Sequence, residues 1–313
     1  MPQNHRLDAL PENIHWGFHD ASLPPVLRIR SGDTVELTSW AAADREDLPP
    51  DPSLVQPGHR EAIEKCVRGG ASHMLTGPVF VEGAAPGDVL QIDILDVRPI
   101  DRWGYVCIVP LRGTLPGDFD TGAIIHPEID IQQRTARLPW GKEIALAPFF
   151  GVMGVAPPAH WGRLPSVQPR KFGGNMDNKE LQAGTTLYLP VFVEGGLFSA
   201  GDGHGVQGDG EVCISALETG LTGSFRLTVR KDLGYAYPFA ESATHLISIG
   251  LHEDLDEAAR IAVREMIGHI CRRTSLTREE AYMLCSLQGD LRVTQTVDGE
   301  KGCHMMLPKN ALT

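Results

Sequence analysis

The sequence predicts a mainly β protein with a sandwich- or barrel-like fold and a smaller α+β part at its C-terminal end. The 34 glycines and 23 prolines of the 313 residues divide the first three quarters of the chain into short segments, which is typical of strands and turns. Several segments alternate apolar with polar residues. The first clear helical spacing follows residue 250. Together these patterns define the fold class.

Alternating runs predict the individual strands. Residues 26–30 and 34–38 alternate on either side of Ser31-Gly32-Asp33, and this arrangement predicts a β-hairpin. Residues 89–97 and 224–229 have the same period of two residues. One face of each such strand is expected to pack against the core while the other meets water.

Two helices and a strand are predicted near the C-terminus. Asp254 can cap a helix whose apolar residues recur at three- and four-residue spacing over 255–270. Thr277 and Glu280 have the form of a capping box and open a second helix. Residues 291–297 then alternate as a strand. The end of the chain is therefore expected to be α+β.

These patterns suggest two regions. We expect a β-rich catalytic region over 1–235 and an α+β region over 236–313. The Pro- and Gly-rich stretch 115–174 predicts long connections that cross the surface or line a cleft. A division of the first region into two β subdomains near 115–150 is one option.

Composition excludes several classes of function. The formal net charge is −12, and Lys and Arg are scattered, so the chain lacks the basic stripe that follows a phosphate backbone. The six cysteines never form a C-x-x-C pair, and we expect buried thiols in a reducing compartment. No apolar run resembles a signal peptide or a membrane span. We therefore expect a cytoplasmic protein with neither nucleic-acid nor membrane partners.

A glycine-rich segment is the strongest candidate for a functional site. Glycine occupies seven of the sixteen positions 195–210, and such a flexible loop loses much entropy when it becomes ordered. Asp202 and His204 are two residues apart and would lie on the same side of an extended segment. Carboxylate and imidazole are usual ligands of catalytic zinc. Both residues are therefore predicted to bind a divalent metal.

An acid/base residue is available next to this pair. Glu211 continues a two-residue series from Gln207 and Asp209, and it could take a proton from an attacking water and give it to a leaving nitrogen. The alternative is a plain loop in which Asp202 and Asp209 bond to backbone amides and His204 is a surface side chain. The sequence alone leaves both readings open.

Other residues could complete such a site. Asp177 could be a further metal ligand, and Asn175 could hold an oxyanion or the amide of a substrate. An Asx-type turn is the alternative for this pair. Four further side chains could reach the predicted metal site: His15, His19, His73 and Glu82. Of these, Glu82 is a further catalytic candidate.

Other catalytic classes lack support. The sequence has no G-x-S-x-G elbow, no H-E-x-x-H motif and no glycine fingerprint for nucleotides. Cys107 and Cys213 lie in apolar, strand-like runs with no base nearby in sequence. Thiols in such surroundings are usually inert.

Four stretches, in this order, carry a resemblance to a known family. They are Leu23-Pro24-Pro25-Val26 with Ser31-Gly32-Asp33-Thr34-Val35, residues 76–84 with Pro86-Gly87-Asp88, Gly173-Gly174-Asn175-Met176-Asp177, and Gly201-Asp202-Gly203-His204 with residues 207–211. Through most of its length the chain resembles the acetamidase/formamidase family. Its Asn-x-Asp and Asp-x-His segments correspond to Asn175, Asp177, Asp202 and His204.

The resemblance implies a fold, a reaction and an assembly. The fold would be β-rich with a smaller α+β part, and the reaction would be hydrolysis of formamide, acetamide or a related short amide to carboxylate and ammonia. A divalent metal and a homo-oligomer are also implied. The carboxylate and imidazole donors make zinc the expected ion, with calcium as the alternative. Proteins related at the level of the fold share their reaction chemistry more often than their substrate specificity.

Two other functions remain open at this stage. A non-catalytic β-sandwich could bind a small polar ligand and use calcium only to order the glycine-rich loop. Alternatively, the same fold and metal could serve a lyase or a hydrolase of cyclic amides. Pocket shape decides between such substrates, and it depends on side chains from distant segments.

Overall fold

The computed structural model of the chain describes residues 2–312, and strands dominate it. The strands, in chain order, are β1 (Asn4–Leu7), β2 (Ile14–Trp16), β3 (Phe18–His19), β4 (Leu27–Arg30), β5 (Thr34–Ser39), β6 (Met74–Glu82), β7 (Val89–Pro99), β8 (Val106–Ile108), β9 (Ala123–Ile125), β10 (Glu128–Asp130), β11 (Thr135–Arg137), β12 (Glu143–Ala145), β13 (Phe149–Gly154), β14 (Leu164–Pro165), β15 (Gly173–Asn175), β16 (Thr186–Pro190), β17 (Phe198–His204), β18 (Leu221–Arg230), β19 (Phe239–Glu241), β20 (His245–His252), β21 (Asp290–Gln295) and β22 (Lys301–Pro308). The α-helices are α1 (Pro57–Lys65), α2 (Leu255–Arg273) and α3 (Arg278–Gln288).

Two large sheets pack face to face. The first has nine strands in the order β1-β5-β18-β7-β16-β19-β20-β22-β21, and the second has the order β15-β13-β17-β6-β2, with β4 added beside β6. Buried apolar residues from both sheets share one core. The ring of Phe225 in the first sheet lies 5.3 Å from that of Phe150 and 5.7 Å from that of Phe198 in the second. The predicted mainly β, sandwich-like fold is confirmed.

The predicted hairpin over 26–38 is wrong, although both of its strands exist. β4 pairs with β6 in the second sheet, whereas β5 pairs with β1 and β18 in the first. The turn between them therefore carries the chain from one sheet to the other. Asp33 is buried at this turn, and its carboxylate accepts hydrogen bonds from the backbone N–H of Gln3 and of Arg30. Each strand pairs within its own sheet, and the two sheets lie on opposite sides of the core.

The two predicted C-terminal helices are confirmed. The side chain of Asp254 caps α2 by accepting from the backbone N–H of Glu257. Thr277 and Glu280 form the reciprocal capping box of α3. α2 packs against β20 and β22, where a Cβ on Gly250 would lie 2.0 Å from the carbonyl oxygen of Ala258. A residue without a side chain is needed at that close approach. The short helix α1 was not predicted.

The expected long connection contains structure of its own. Strands β10, β11 and β12 form a small antiparallel sheet, and β8 pairs with β9. The four strands β19 to β22 extend the nine-stranded sheet, so the last part of the chain completes the same sandwich. Among residues 2–312, none of the helices combines the length and the apolar character that a membrane crossing requires.

Candidate active site

Strand β17 places the predicted metal-binding pair at the centre of the six-stranded sheet. It runs between β13 and β6 and ends at His204. Asp202 and His204 are almost fully buried, and their side chains converge, with 3.2 Å between Asp202 Oδ2 and His204 Nε2. Asp202 reaches this position with φ of 59°, so the convergence comes from a left-handed backbone and not from the extended pleat expected from the sequence. The reading of His204 as a surface side chain is therefore wrong.

Four buried carboxylates surround the imidazole nitrogen of His204. Besides the contact with Asp202, His204 Nε2 lies 3.4 Å from Glu218 Oε1, 3.9 Å from Asp177 Oδ1 and 4.0 Å from Glu211 Oε1. Two overlapping groups of potential ligands share His204: one contains Asp177 and Glu211, and the other contains Asp202 and Glu218. These five residues constitute the acidic cluster. Its carboxylates outnumber its single imidazole four to one.

A hydrogen-bond relay orients His204. Its Nδ1 donates to Gln207 Oε1 over 2.9 Å, and Gln207 Nε2 donates to the carbonyl oxygen of Asp177 over 2.8 Å. Because Nδ1 is occupied, Nε2 faces the carboxylates. Metal-binding histidines are commonly fixed in this way by a partner on the second ring nitrogen.

Burial dominates the electrostatics of the acids around His204. Loss of water raises the pKa of Glu211 well above its usual value, and the nearby charge of Asp177 raises it further. Burial raises the pKa of Glu218 to about 7, even though His204 acts in the opposite direction. Burial also raises the pKa of Asp298, a neighbour of the cluster that hydrogen-bonds Asp177.

In contrast to these acids, His204 and Asp202 have pKa values that favour their charged forms. Burial alone would lower the pKa of His204, but Glu218 and Asp202 more than offset it and hold that pKa well above its usual value. Burial likewise opposes ionisation of Asp202, yet His204 keeps the pKa of Asp202 below its usual value. Without a cation, the cluster is therefore neutralised by protons. Metal binding would release them.

The arrangement of oxygens fits a divalent cation. Four carboxylate oxygens here are buried without a hydrogen-bond partner: Asp177 Oδ1, Glu211 Oε2, Glu218 Oε2 and Asp298 Oδ2. Unpaired buried charge is expensive unless it is matched by a cation. Gly151 lets these acids lie directly against the backbone of β13, since a Cβ there would be 2.4 Å from Asp177 Oδ1 and 2.5 Å from Asp202 Oδ2.

Three histidines from the N-terminal part of the chain lie beside the acidic cluster. His15 contacts the carbonyl oxygen of Phe18 through Nδ1 and Ser199 Oγ through Nε2, at 2.6 and 2.9 Å. His73 Nδ1 lies 2.8 Å from Ser166 Oγ. His19 is buried and packs against His15 and Phe172.

The structure brings most of the predicted site residues together, but not all. Asp177, Asp202, His204 and Glu211 meet in the cluster, and buried Asn175 lies two residues before Asp177. Glu82 does not join them. It is exposed at the end of β6, seven residues beyond Leu75, which pairs with Gly201, and this corresponds to roughly 23 Å along a strand. Glu82 is therefore dropped from the catalytic candidates.

Sequence reasoning missed three residues. Glu218 follows the apolar pair Ala216-Leu217, and a single carboxylate in a buried run was the available signal. Asp298 stands before Gly299, where it looks like an ordinary turn residue. Nothing in the sequence pointed to Gly151, because its role depends only on the side chains that pack against it, those of Asp177, Asp202 and His204.

The cysteines remain poor candidates for a nucleophile. All six are free. Burial raises the pKa of the Cys107 thiol to about 12, so little thiolate would exist at neutral pH. This agrees with the expectation of inert thiols.

The chain is similar in sequence to two named amidases. It is 31% identical to an acetamidase of Mycolicibacterium smegmatis over 207 residues, which cover 47% of this chain and 51% of that protein. It is also 31% identical to a formamidase of Methylophilus methylotrophus over 254 residues, which cover 64% of this chain and 59% of that protein. The chain thus spans little more than half the length of these relatives.

A solved structure matches the whole fold. The crystal structure of an acetamidase from Bacillus halodurans superposes with a TM-score of 0.85 at 32% identity, and the match covers 97% of each chain. A sequence profile described as the "Acetamidase/Formamidase family" matches residues 2–163 and 162–312. The chain therefore belongs to the acetamidase/formamidase family.

Proposed function

We propose that the protein hydrolyses a short aliphatic amide, similar to formamide or acetamide, to a carboxylate and ammonia with the help of a divalent metal. The observation that carries this proposal is the convergence of four buried carboxylates on His204 Nε2, packed against the bare backbone of Gly151. The similarity to proteins named acetamidase and formamidase supports the choice of reaction.

Asp202, His204 and Asp177 are the proposed metal ligands, and Glu218 lies within reach as a further one. Oxygen and imidazole donors suit zinc, which we propose as the ion, while an oxygen-rich set also accepts calcium. When bound, such an ion would polarise the amide carbonyl and acidify a water molecule.

The protein's own groups would handle the protons and the substrate. Glu211 would take a proton from the attacking water and deliver it to the leaving nitrogen, a role that suits a carboxyl group with a raised pKa. Asn175, whose Oδ1 is buried without a partner, would hold the substrate amide through its side-chain amide group. The buried surroundings would strengthen both interactions by excluding water.

Replacement of His204 by alanine tests the proposal. We expect His204→Ala to lose both bound metal and ammonia release while circular dichroism shows an unchanged fold. Elemental analysis and an ammonia assay over formamide, acetamide and propionamide measure the two losses. Full activity in a metal-free preparation of the unmodified protein would contradict the proposal. A protein that calcium stabilises but that releases no ammonia would favour the binding function instead.

Assembly and location belong to the same proposal. The family resemblance suggests a homo-oligomer, and the six free cysteines suit a reducing compartment such as the cytoplasm. The division at residue 235 into a β-rich and an α+β region also remains part of the proposal. Light scattering of the purified protein would determine the number of subunits, and a single-subunit mass would contradict that part.

A further inference from the structure

One ion pair connects two chain segments that carry proposed site residues. Lys179 Nζ lies 2.8 Å from Asp209 Oδ2. Lys179 follows the proposed metal ligand Asp177 by two residues. Asp209 stands two residues before the proposed acid/base Glu211. Neither member of the pair belongs to the acidic cluster, and the proposed reaction leaves this pair without a role.

The segment on the Asp209 side is a flexible loop over residues 205–210. Three of its six residues are glycines, which lose more conformational freedom than other residues when they become ordered. Backbone hydrogen bonds fix its two ends: Gly205 N–H donates to Leu217 O over 2.7 Å, and Gly210 N–H donates to Thr294 O over 2.9 Å. The residues between these ends are partly or fully exposed.

Two side chains tie the middle of the 205–210 loop to the segment that begins at Asp177. Gln207 Nε2 donates to the carbonyl oxygen of Asp177 over 2.8 Å, and Gln207 Oε1 lies 2.9 Å from His204 Nδ1. Asp209 reaches Lys179, two residues farther along each segment. The ion pair is thus placed to keep Gln207 within reach of both of its partners.

The ion pair can act locally although it is partly exposed. The side chains of Lys179 and Asp209 are 29% and 32% exposed. Such pairs contribute little to the free energy of unfolding of a whole protein, because water and salt screen them. Opening of a single loop breaks only a few contacts, so one ion pair changes that equilibrium by a measurable factor. We therefore expect its effect in the loop and not in the melting temperature.

We propose that Lys179 and Asp209 are positioning residues whose ion pair holds the 205–210 loop closed. In the closed loop, Gln207 keeps His204 Nε2 turned toward the carboxylates of the acidic cluster. This inference rests on the proposed function and deepens it, because it names the contact that keeps a proposed metal ligand oriented. Without the ion pair, the loop opens more often, and Gln207 leaves both of its partners. His204 then gains freedom to rotate, and a bound ion is released sooner.

The rate of zinc release measures this role. A chelator that changes colour on binding zinc is added to the zinc-loaded protein, so that the rate does not depend on turnover. We expect Lys179→Met and Asp209→Asn each to release zinc about fivefold faster than the unmodified protein, the upper range for a partly exposed ion pair. The double variant should be no faster than either single variant, because both changes remove the same contact. Lys179→Arg keeps the charge and should release zinc at nearly the unmodified rate.

Lys309→Met is the matched control. Lys309 Nζ lies 3.1 Å from Glu241 Oε2, and the two side chains are 38% and 22% exposed. Lys309 follows β22 and Glu241 ends β19, so this pair joins elements that carry no candidate site residue. Its removal should leave zinc release unchanged. Equal acceleration in Lys309→Met, or an unmodified rate in Lys179→Met, would overturn the inference.

Amide hydrogen exchange separates this inference from the proposed function. Mass spectrometry follows exchange in peptides that cover residues 205–211 of the metal-free protein. We expect these amides to exchange about fivefold faster in Lys179→Met than in Lys309→Met. If the unmodified protein binds no zinc or releases no ammonia, the proposed function fails, and this comparison alone decides the inference. Faster exchange confined to the loop supports it; exchange that is equal in the two variants, or faster throughout the protein, refutes it.

Discussion

Three acidic residues of the site hold a backbone conformation that side chains rarely adopt. Asp177, Asp202 and Glu211 have φ of 46°, 59° and 46°. Only seven non-glycine residues between 2 and 312 have positive φ, so nearly half of them are candidate site residues. Such conformations cost on the order of 1–3 kcal/mol each and persist where the surrounding structure imposes them. The site is thus assembled at the expense of stability.

Glu211→Gln should separate activity from stability. The raised pKa of Glu211 means that folding favours its protonated form. This carboxyl therefore destabilises the native state more and more as the pH rises from the pKa of Glu211 in the unfolded chain to its higher pKa in the folded protein. Glutamine is neutral and lacks this penalty. We expect the metal-free variant to melt no lower than the unmodified protein at neutral pH, while ammonia release falls at least about a hundredfold.

Thermal unfolding in the presence of a chelator and a steady-state ammonia assay measure these two effects. Glu279→Gln is the control, because it makes the same substitution at an exposed position of α3. A Glu211→Gln protein that retains most of its activity would exclude Glu211 as the acid/base.

Gly151→Ala should weaken metal binding through its volume alone. The added methyl group would meet Asp177 Oδ1, Asp202 Oδ2 and the ring of His204 within 2.7 Å, so the ligands must move apart. We expect metal affinity and kcat/KM to fall together by roughly tenfold to a hundredfold, as perturbed metal-site surroundings usually cause. Isothermal titration with zinc measures the first effect.

Gly208→Ala serves as the control for this variant, since a Cβ on Gly208 would meet no atom within 4 Å. Equal losses of zinc affinity in the two variants would show that the effect comes from backbone freedom and not from the space beside the acids.

At the scale of elements, the turn between β4 and β5 determines how the sandwich closes. It passes the chain from the six-stranded sheet to the nine-stranded sheet, and Asp33 secures it. The Asp33 carboxylate accepts from two backbone N–H groups and lies 2.9 Å from His5 Nε2. This single buried side chain also fastens the N-terminal strand β1 beside β5.

Asp33→Ala should therefore destabilise the protein strongly. Buried backbone donors would lose their partners, and we expect the free energy of unfolding to fall by about 3 kcal/mol. Urea denaturation measures the change. Asp120→Ala, at an exposed position, should change the stability by less than about 0.5 kcal/mol. A loss for Asp33→Ala as small as that of the control would contradict this account of the turn.

At the scale of the whole molecule, buried neutral histidines make the fold sensitive to acid. Burial lowers the pKa of His59 to about 4, of His304 to about 4 and of His269 to about 2. The usual value is 6.5, so the unfolded chain binds more protons than the folded chain as the pH falls below it. Their stabilising contribution is complete above pH 6.5 and is lost progressively toward pH 4.

We expect each of these histidines to lower the free energy of unfolding below about pH 6.5 by up to about 1.4 kcal/mol per pH unit, whereas the buried acids with a raised pKa contribute in the opposite direction. Urea denaturation of the unmodified protein and of His59→Phe between pH 5 and 7.5 measures the slope. Phenylalanine can stack between Trp40 and Trp103, as His59 does, but cannot bind a proton, so its slope should be smaller. Equal slopes would show that His59 is already charged in the native protein.

Local sequence patterns were sufficient to predict the helices and strands that depend on residues only a few positions apart in the chain. The caps at Asp254 and Thr277 and the helices they open were predicted, because capping and helical spacing involve residues three or four positions apart. The alternating strands over 89–97 and 224–229 were predicted for the same reason. The pairing partners of these strands in the sheets were not predictable. The wrongly predicted hairpin over 26–38 shows the reason, because its two strands pair with strands that are distant in the chain.

The sequence by itself determined the mainly β class, the C-terminal helices and the glycine-rich segment with Asp202 and His204 at its centre. Only the tertiary structure decided which other residues join them. Glu218 and Asp298 enter the site, and Glu82 leaves it, because sheet register and loop packing set the distances between residues far apart in the chain. Spacing along a chain fixes local geometry, whereas a buried charge cluster depends on which distant segments fold against one another.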